Sequence, residues 1–187
     1  GSEMCIRDRL TAGFTCIKMK IGAIDFDIEV ALLKSIRKEF SPNEIELRVD
    51  ANGAFTPQNA LEKLSRLAEL QMHSIEQPIK QGQWQEMASL CENTPLPIAL
   101  DEELIGVFSR EKKEKCIGTI QPQYIILKPS LVGGFKGSNE WIEIASNHRV
   151  GNWITSALES NVGLNAIAQW TYSLNNPLPL GRHCHWR

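Results

Sequence analysis

The amino-acid sequence predicts an α/β fold, a TIM-type (β/α) barrel that is incomplete, with about strands 2 to 7 present. Short apolar runs alternate with amphipathic helical segments along the chain. The six runs end at residues 20, 50, 76, 101, 128 and 156, so they recur every 25 to 30 residues. This regular spacing favours a barrel over a doubly wound sheet, in which a switch point interrupts the pattern. Because a complete barrel takes about 250 residues, we expect one strand to be missing at each end.

Six apolar segments are the predicted strands. Most are rich in β-branched residues, and the run Tyr-Ile-Ile-Leu at 124–127 is continuously apolar, which is typical of strands covered on both faces. Alternation with helices across short loops predicts parallel strands joined by right-handed crossovers. The predicted strands are Phe14–Lys20, Ile45–Asp50, His73–Glu76, Pro97–Asp101, Gln123–Lys128 and Asn152–Ser156.

Three of the intervening segments carry clear helix-start signals. Thr56 and Pro57 form an N-cap and first-turn pair ahead of an apolar stripe. Asp25 precedes a second stripe, and Ser138 precedes a third, so we expect helices to begin near these residues. The stripes are Ala60, Leu61, Leu64, Leu67 and Ala68; Ile28, Ala31, Leu32 and Ile36; and Trp141, Ile142 and Ala145.

The composition is ordinary for a soluble globular protein. A net charge of −2 gives no reason to expect nucleic acid or an anionic membrane as a partner. No apolar run approaches the roughly 20 residues that span a bilayer, and no basic segment followed by an apolar core marks a secretory signal. The five cysteines show no Cys-x-x-Cys spacing, so we expect reduced thiols and a cytoplasmic location. The oligomeric state stays open.

The two ends of the chain look foreign to the rest. Residues 1–9 resemble a translated adaptor sequence. Residues 182–187 differ from the sequence before them in the way that an out-of-frame translation would. We therefore expect the partial barrel domain to occupy residues 10–181.

Charged residues stand at the ends of five predicted strands. Lys20, Asp50, Glu76, Asp101 and Lys128 occupy these positions, and the strand ends of a barrel converge on one mouth, where active sites are built. One such residue is usually a solvated loop side chain, but five at one spacing predict a site. Three carboxylates resist ionisation together unless a cation joins them, and all-oxygen ligands suit Mg²⁺.

Lys18 is the weaker candidate of the two lysines on the first strand for a place at the centre of the site. It shares a strand face with Lys20, because side chains alternate with a period of two. We expect only Lys20, which is nearer the mouth, to reach the centre of the site.

The ordered set Lys-x-Lys, Asp, Glu, Asp, Lys resembles the muconate-lactonizing branch of the enolase superfamily, over residues 11–180. The resemblance implies that Asp50, Glu76 and Asp101 hold Mg²⁺, with Mn²⁺ as a possible substitute, and that the ion binds a carboxylate substrate. It implies that Lys20 removes the proton next to that carboxylate and that Lys128 stabilises the enediolate. It also implies an N-terminal capping domain, which has no counterpart in this sequence.

Within this branch, the sequence is most similar to the o-succinylbenzoate synthases of menaquinone biosynthesis, which are lyases. The similarity lies in residues 154–164, in Asp-Ala-Asn at 50–52, in Ile-Leu-Lys-Pro-Ser at 126–130 and in Val-Gly-Gly at 132–134. The side chains that this similarity places at the substrate are Lys18, Asn52, Ser156 and Glu159.

Two other functions stay open from the sequence. Dipeptide epimerases and N-acylamino acid racemases use the same scaffold. An Asp-x-Asp on the eighth strand would favour an epimerase, but we expect that strand to lie beyond the break in reading frame that precedes residue 182. Alternatively, the chain is a non-catalytic, incompletely folded barrel fragment, because missing strands leave two unpaired edges.

Overall fold

Residues 11–174 are described by the computed structural model of the protein. The predictions for residues 1–9 and 182–187, and for the ends of the domain at 10–181, lie outside this range. The strands are β1 (Cys16–Lys20), β2 (Glu46–Asp50), β3 (Ser74–Glu76), β4 (Ile98–Leu100), β5 (Tyr124–Leu127) and β6 (Gly151–Ile154). The helices are α1 (Phe26–Glu39), α2 (Pro57–Ala68), α3 (Trp84–Asn93), α4 (Arg110–Ile120), α5 (Gly134–Asn147) and α6 (Asn161–Ser173).

The six strands form one parallel sheet in sequence order, from β1 to β6. Each strand pairs in parallel with the next, and a helix lies between the two in the chain. This is the strand–helix alternation of a barrel, so the prediction of a partial barrel is confirmed. The strands are shorter than predicted: Asp101 and Lys128 each follow the last residue of β4 or β5, and Ser156 lies two residues after β6.

Two of the three predicted helix starts are confirmed. The side chain of Asp25 accepts hydrogen bonds from the backbone N–H groups of Asp27 and Ile28 at the start of α1, and Thr56 directly precedes α2. The prediction for Ser138 is wrong, because α5 already begins at Gly134. Ser138 is buried in its second turn and donates a hydrogen bond to the Gly134 carbonyl.

The two faces of the sheet carry different side chains. On β2, Leu47 and Val49 are fully buried in the large core between sheet and helices, whereas Arg48 and Asp50 alternate with them and belong to the opposite face. That inner face has a small apolar cluster of its own, made of Ala99, Ile126 and Trp153 with Tyr124 against it. The helices therefore cover one face, and the charged side chains gather on the other.

The helices between residues 11 and 174 are amphipathic segments that pack on the sheet. None of them combines the length and the apolar character that crossing a bilayer demands.

Candidate active site

Five of the predicted site residues meet at the carboxyl-terminal edge of the sheet. Strand register places Lys20 beside Asp50, and Asp50 beside Glu76. Asp101 and Lys128 directly follow the next two strands, β4 and β5. All five side chains therefore stand at the mouth that parallel strands share.

Lys18 reaches further into the carboxylates than predicted. Its Nζ lies 2.6 Å from Glu76 Oε2 and 3.2 Å from Asp50 Oδ2, and its side chain is 21% exposed. The expectation that only Lys20 reaches the centre is therefore wrong. The lysine stem is long enough to carry the ammonium group up from a position two residues deeper in the barrel.

Lys20 occupies the outer part of the same site. Its side chain is 65% exposed, and its Nζ lies 3.2 Å from Asp50 Oδ2 and 2.5 Å from Asn52 Oδ1. Asn52 in turn donates its side-chain N–H to Glu102 Oε1 at 2.8 Å, and its backbone N–H to Asp50 Oδ1 at 3.0 Å. Asn52 thus links the lysine, a carboxylate of β2 and the loop after β4.

Lys128 approaches the carboxylates from the opposite end of the site. Its Nζ forms a short ion pair with Asp101 Oδ2 and lies 3.9 Å from Glu76 Oε1. The carboxylates of Asp50, Glu76 and Asp101 are each nearly inaccessible to solvent. Lysines from β1 and from the end of β5 therefore flank three buried carboxylates.

The charges at the mouth shift the pKa values of its carboxyl groups. Burial, and the nearby charges of Asp50 and Asp101, outweigh the ammonium group of Lys18 and raise the pKa of Glu76 to about 8. Burial also acts to raise the pKa of Asp50, but Lys18 and Lys20 outweigh it and lower that pKa below its usual value. The positive charges around Glu76 therefore compensate its burial less fully than those around Asp50 do.

A divalent cation fits this set of donors. Glu76 Oε1 is buried without a hydrogen-bond partner, and three carboxylates on adjacent strand ends supply the oxygen ligands that Mg²⁺ prefers. Within residues 11–174, no three His, Cys, Asp or Glu side chains form a ready-made coordination cluster. In this structure the carboxylates of Glu76 and Asp101 instead form ion pairs with the ammonium groups of Lys18 and Lys128, which balance their charge.

The two substrate residues predicted after β6 lie in the loop that leads to α6. Ser156 is partly exposed there, and Glu159 accepts a hydrogen bond of 2.6 Å from the hydroxyl of Ser130, which follows Lys128 by two residues. The loops after β5 and β6 are thus joined at the rim of the site. The roles of both residues toward a substrate stay predictions.

Sequence reasoning missed two buried polar residues behind the carboxylates. Gln77 and Glu103, 0% and 5% exposed, follow Glu76 and Asp101 by one and two residues and hydrogen-bond to each other. The only local signal is polarity directly after a strand end, which a solvated loop residue shares. Their contact depends on the pairing of β3 with β4.

A family model matches nearly the whole chain. Residues 3–186 match the family described as enolase C-terminal domain-like. This match relates the chain to the C-terminal domain of enolase-like proteins.

The curated relatives include enzymes of two kinds. The o-succinylbenzoate synthase of Desulfotalea psychrophila is 58% identical over 94% of this chain and 48% of its own length. The N-succinylamino acid racemase of Thermus thermophilus is 34% identical over 84% of this chain and 40% of its own length. The chain therefore spans about half the length of these relatives.

A solved structure has the same fold. The crystal structure of MenC from Desulfotalea psychrophila superposes with a TM-score of 0.91 at 56% identity, covering 96% of this chain and 49% of that one. Fold, ordered strand-end residues and family match agree, and the chain belongs to the enolase superfamily, within its enolase C-terminal domain-like family.

Proposed function

We propose that this chain carries the catalytic groups of a Mg²⁺-dependent lyase. The enzyme removes a proton next to a carboxylate and eliminates water to form o-succinylbenzoate in menaquinone biosynthesis. The observation that carries the proposal is the placement of Lys20 and Lys128 at the two ends of a row of three buried carboxylates. The 58% identity to an o-succinylbenzoate synthase supports this choice of reaction.

Asp50, Glu76 and Asp101 would hold the Mg²⁺ ion, for which Mn²⁺ would be a substitute because it also prefers oxygen ligands. The ion would supply positive charge to the carboxylate of the substrate. The buried oxygen of Glu76 that has no hydrogen-bond partner supports this assignment.

Lys20 is the proposed base, because its largely exposed ammonium group is open to a substrate. Its neutral amine takes the proton from the carbon next to the carboxylate, and the electron pair of that bond spreads into the carboxylate as an enediolate. The carbon–oxygen bond to the hydroxyl then breaks, and Lys20 returns its proton to the departing hydroxyl. Water leaves, and the base is regenerated.

Lys128 and Asn52 assist this reaction in different ways. The ammonium group of Lys128 stabilises the negative charge of the enediolate from the other side of the site. Asn52, whose Oδ1 accepts from Lys20 Nζ, holds the base in place. Ser156 and Glu159 line the substrate at the rim, and the ammonium group of Lys18 balances charge deeper in the site.

The proposed substrate is a small carboxylate, and the proposed location is the cytoplasm. The free thiols of Cys16, Cys91 and Cys116 among the described residues are consistent with a reducing compartment.

A second candidate function is racemisation or epimerisation of an acylated amino acid or dipeptide. The same pair of lysines supports it, because racemisation needs one base on each face of the carbon. The 34% identity to the N-succinylamino acid racemase of Thermus thermophilus also favours it.

The test uses a chimera, in which residues 11–174 of this chain replace the matching segment of the Desulfotalea psychrophila o-succinylbenzoate synthase. We expect it to eliminate water from the substrate of that synthase and form o-succinylbenzoate. The activity should be lost in EDTA and regained with Mg²⁺ or Mn²⁺. The intact relative is the control. A folded chimera without lyase activity, or with activity that survives exhaustive chelation, would contradict the proposal.

The racemase function is tested with the same chimera. N-succinylamino acids and L-Ala-L-Glu are incubated with it, and inversion is followed by polarimetry. Inversion at a rate above that of water elimination would favour the second candidate.

A further inference from the structure

Gln77 directly follows the carboxylate of Glu76 and has an unusual backbone conformation. Its φ is +39°, in the left-handed region that non-glycine residues rarely adopt. Its side chain is 0% exposed, although a glutamine is usually a surface residue. A buried polar side chain on a strained backbone indicates that its surroundings hold it there.

The amide of Gln77 makes four hydrogen bonds. Its Oε1 accepts from the backbone N–H groups of Asp101, at 3.2 Å, and Glu103, at 3.4 Å. Its Nε2 donates to the Ile79 carbonyl at 3.0 Å and to Glu103 Oε2 at 3.3 Å. One side chain thus connects the residue after β3 with the turn after β4.

The partner carboxylate of Glu103 is itself held in place. Its Oε1 accepts from the backbone N–H of Gly82 at 2.8 Å and from the indole N–H of Trp84, the first residue of α3, at 2.6 Å. These two donors hold the carboxylate independently of Gln77. The amide of Gln77 therefore binds a group whose position is already fixed.

We propose that Gln77 is a positioning residue, which holds Asp101 against the end of β3 so that Asp101 and Glu76 can bind one divalent cation together. This inference rests on the proposed metal site and adds a residue to it. Without the amide, the buried N–H groups of Asp101 and Glu103 lose their acceptor, and the turn that carries the Asp101 carboxylate loses two hydrogen bonds to the residue that follows Glu76.

The metal alone tests this role. Mn²⁺ is titrated into the chimera, and the dissociation constant is measured from the electron paramagnetic resonance signal of free Mn²⁺. We expect Gln77→Met, which keeps the side-chain length but lacks the amide, to bind Mn²⁺ about 10- to 100-fold more weakly, as is common when a partner of a metal ligand is lost.

Two control variants separate positioning from folding. Gln83→Met removes an amide from the loop that follows Gln77, where it bonds only the Lys80 carbonyl among the described contacts, and we expect its dissociation constant to stay within twofold. Ile36→Val shortens a fully buried side chain of α1. It should lower the thermal midpoint and leave Mn²⁺ binding by the folded protein unchanged.

Amide hydrogen exchange supplies a readout that does not involve metal. In Gln77→Met, the N–H groups of Asp101 and Glu103 should exchange faster than in the unmodified chimera. If they do so while the dissociation constant stays within twofold, the positioning role is overturned and the metal site stands. If the unmodified chimera folds but does not bind Mn²⁺, the metal site and this inference fail together.

A second variant covers the case in which Gln77→Met does not fold. Gln77→Asn keeps an amide but is one methylene too short to span the same partners. We expect the same weakening of Mn²⁺ binding and the same faster exchange. An unchanged dissociation constant in this variant likewise overturns the proposal.

Discussion

Lys18 and Lys20 stand two residues apart on β1, yet their ammonium groups have different surroundings. Lys18 lies between two buried carboxylates, and these outweigh the effect of burial and raise its pKa. Lys20 is 65% exposed and contacts one carboxylate and the Asn52 amide. Lys18 is therefore suited to balance charge, and Lys20 is the lysine that a substrate can reach.

Replacing either of the two lysines that flank the carboxylates, Lys20 or Lys128, should reduce turnover for a different reason. In the chimera, Lys20→Ala should abolish turnover, because it removes the proposed base, and Lys20→Arg should do little better, since a guanidinium keeps its proton. Lys128→Ala should lose about 2.7–4 kcal/mol of transition-state stabilisation, as comparable charge-stabilising groups contribute. Turnover of the three variants is compared with that of the unmodified chimera.

Proton exchange distinguishes the roles of these two lysines. In D₂O, with a substrate analogue that keeps the proton next to the carboxylate but lacks the leaving hydroxyl, Lys128→Arg should retain slow exchange of that proton, whereas Lys20→Ala should show none. Wild-type exchange in Lys20→Ala, together with an inactive Lys128→Ala, would reverse the roles. That result would also favour the racemase function.

At the element scale, α4 ends on a residue in an unfavourable backbone conformation. Gln121 has φ +50° and ψ +54° and closes the helix with a backbone hydrogen bond to the Ile117 carbonyl. This left-handed conformation costs a non-glycine residue roughly 1–2 kcal/mol. Glycine at this position avoids the steric cost and is common at helix ends.

We predict that Gln121→Gly stabilises the chimera. The gain should be about 0.5–1 kcal/mol, because the steric relief exceeds the extra entropy that glycine loses on folding. The urea midpoint of unfolding measures it. Lys115→Gly, at an exposed position inside the same helix, is the matched control and should lower stability by about 0.5–1 kcal/mol. Equal losses in both variants would contradict the account.

At the scale of the whole molecule, the sheet ends in two edge strands among the described residues, β1 and β6. Beside β1 lies a groove of about 230 Å³ lined in part by Ile24 and Leu32, which are 59% and 37% exposed. Near the other end of the sheet, Leu158 and Val162 are 89% and 80% exposed. Apolar side chains and strand edges are thus accessible on both sides of the partial barrel.

We therefore predict that the 187-residue chain by itself associates or binds the dye ANS. Light scattering and ANS fluorescence measure the two effects, and the chimera, whose added strands should cover both edges, is the control. A monodisperse monomer with a sharp cooperative melt and no ANS signal would contradict this prediction. It would also contradict the hypothesis that the chain is an incompletely folded fragment.

The sequence by itself determined the strand–helix alternation and the positions of the five charged strand ends. Both follow from local patterns, because apolar periodicity marks each element and parallel strands bring their ends to one mouth. The start of α5 was not predictable in this way, since Ser138 resembles an N-cap but lies inside a helix that begins at Gly134. A polar residue followed by an apolar stripe does not distinguish these two cases.

Only the tertiary structure decided how the site is arranged in depth. Whether Lys18 reaches the carboxylates depends on the course of its stem between β1 and β3, and the link from Gln77 to Asp101 depends on the pairing of β3 with β4. These contacts join residues that are 24 to 58 positions apart in the chain. Spacing along one strand cannot encode them, because a side chain's partners are set by the neighbouring strands.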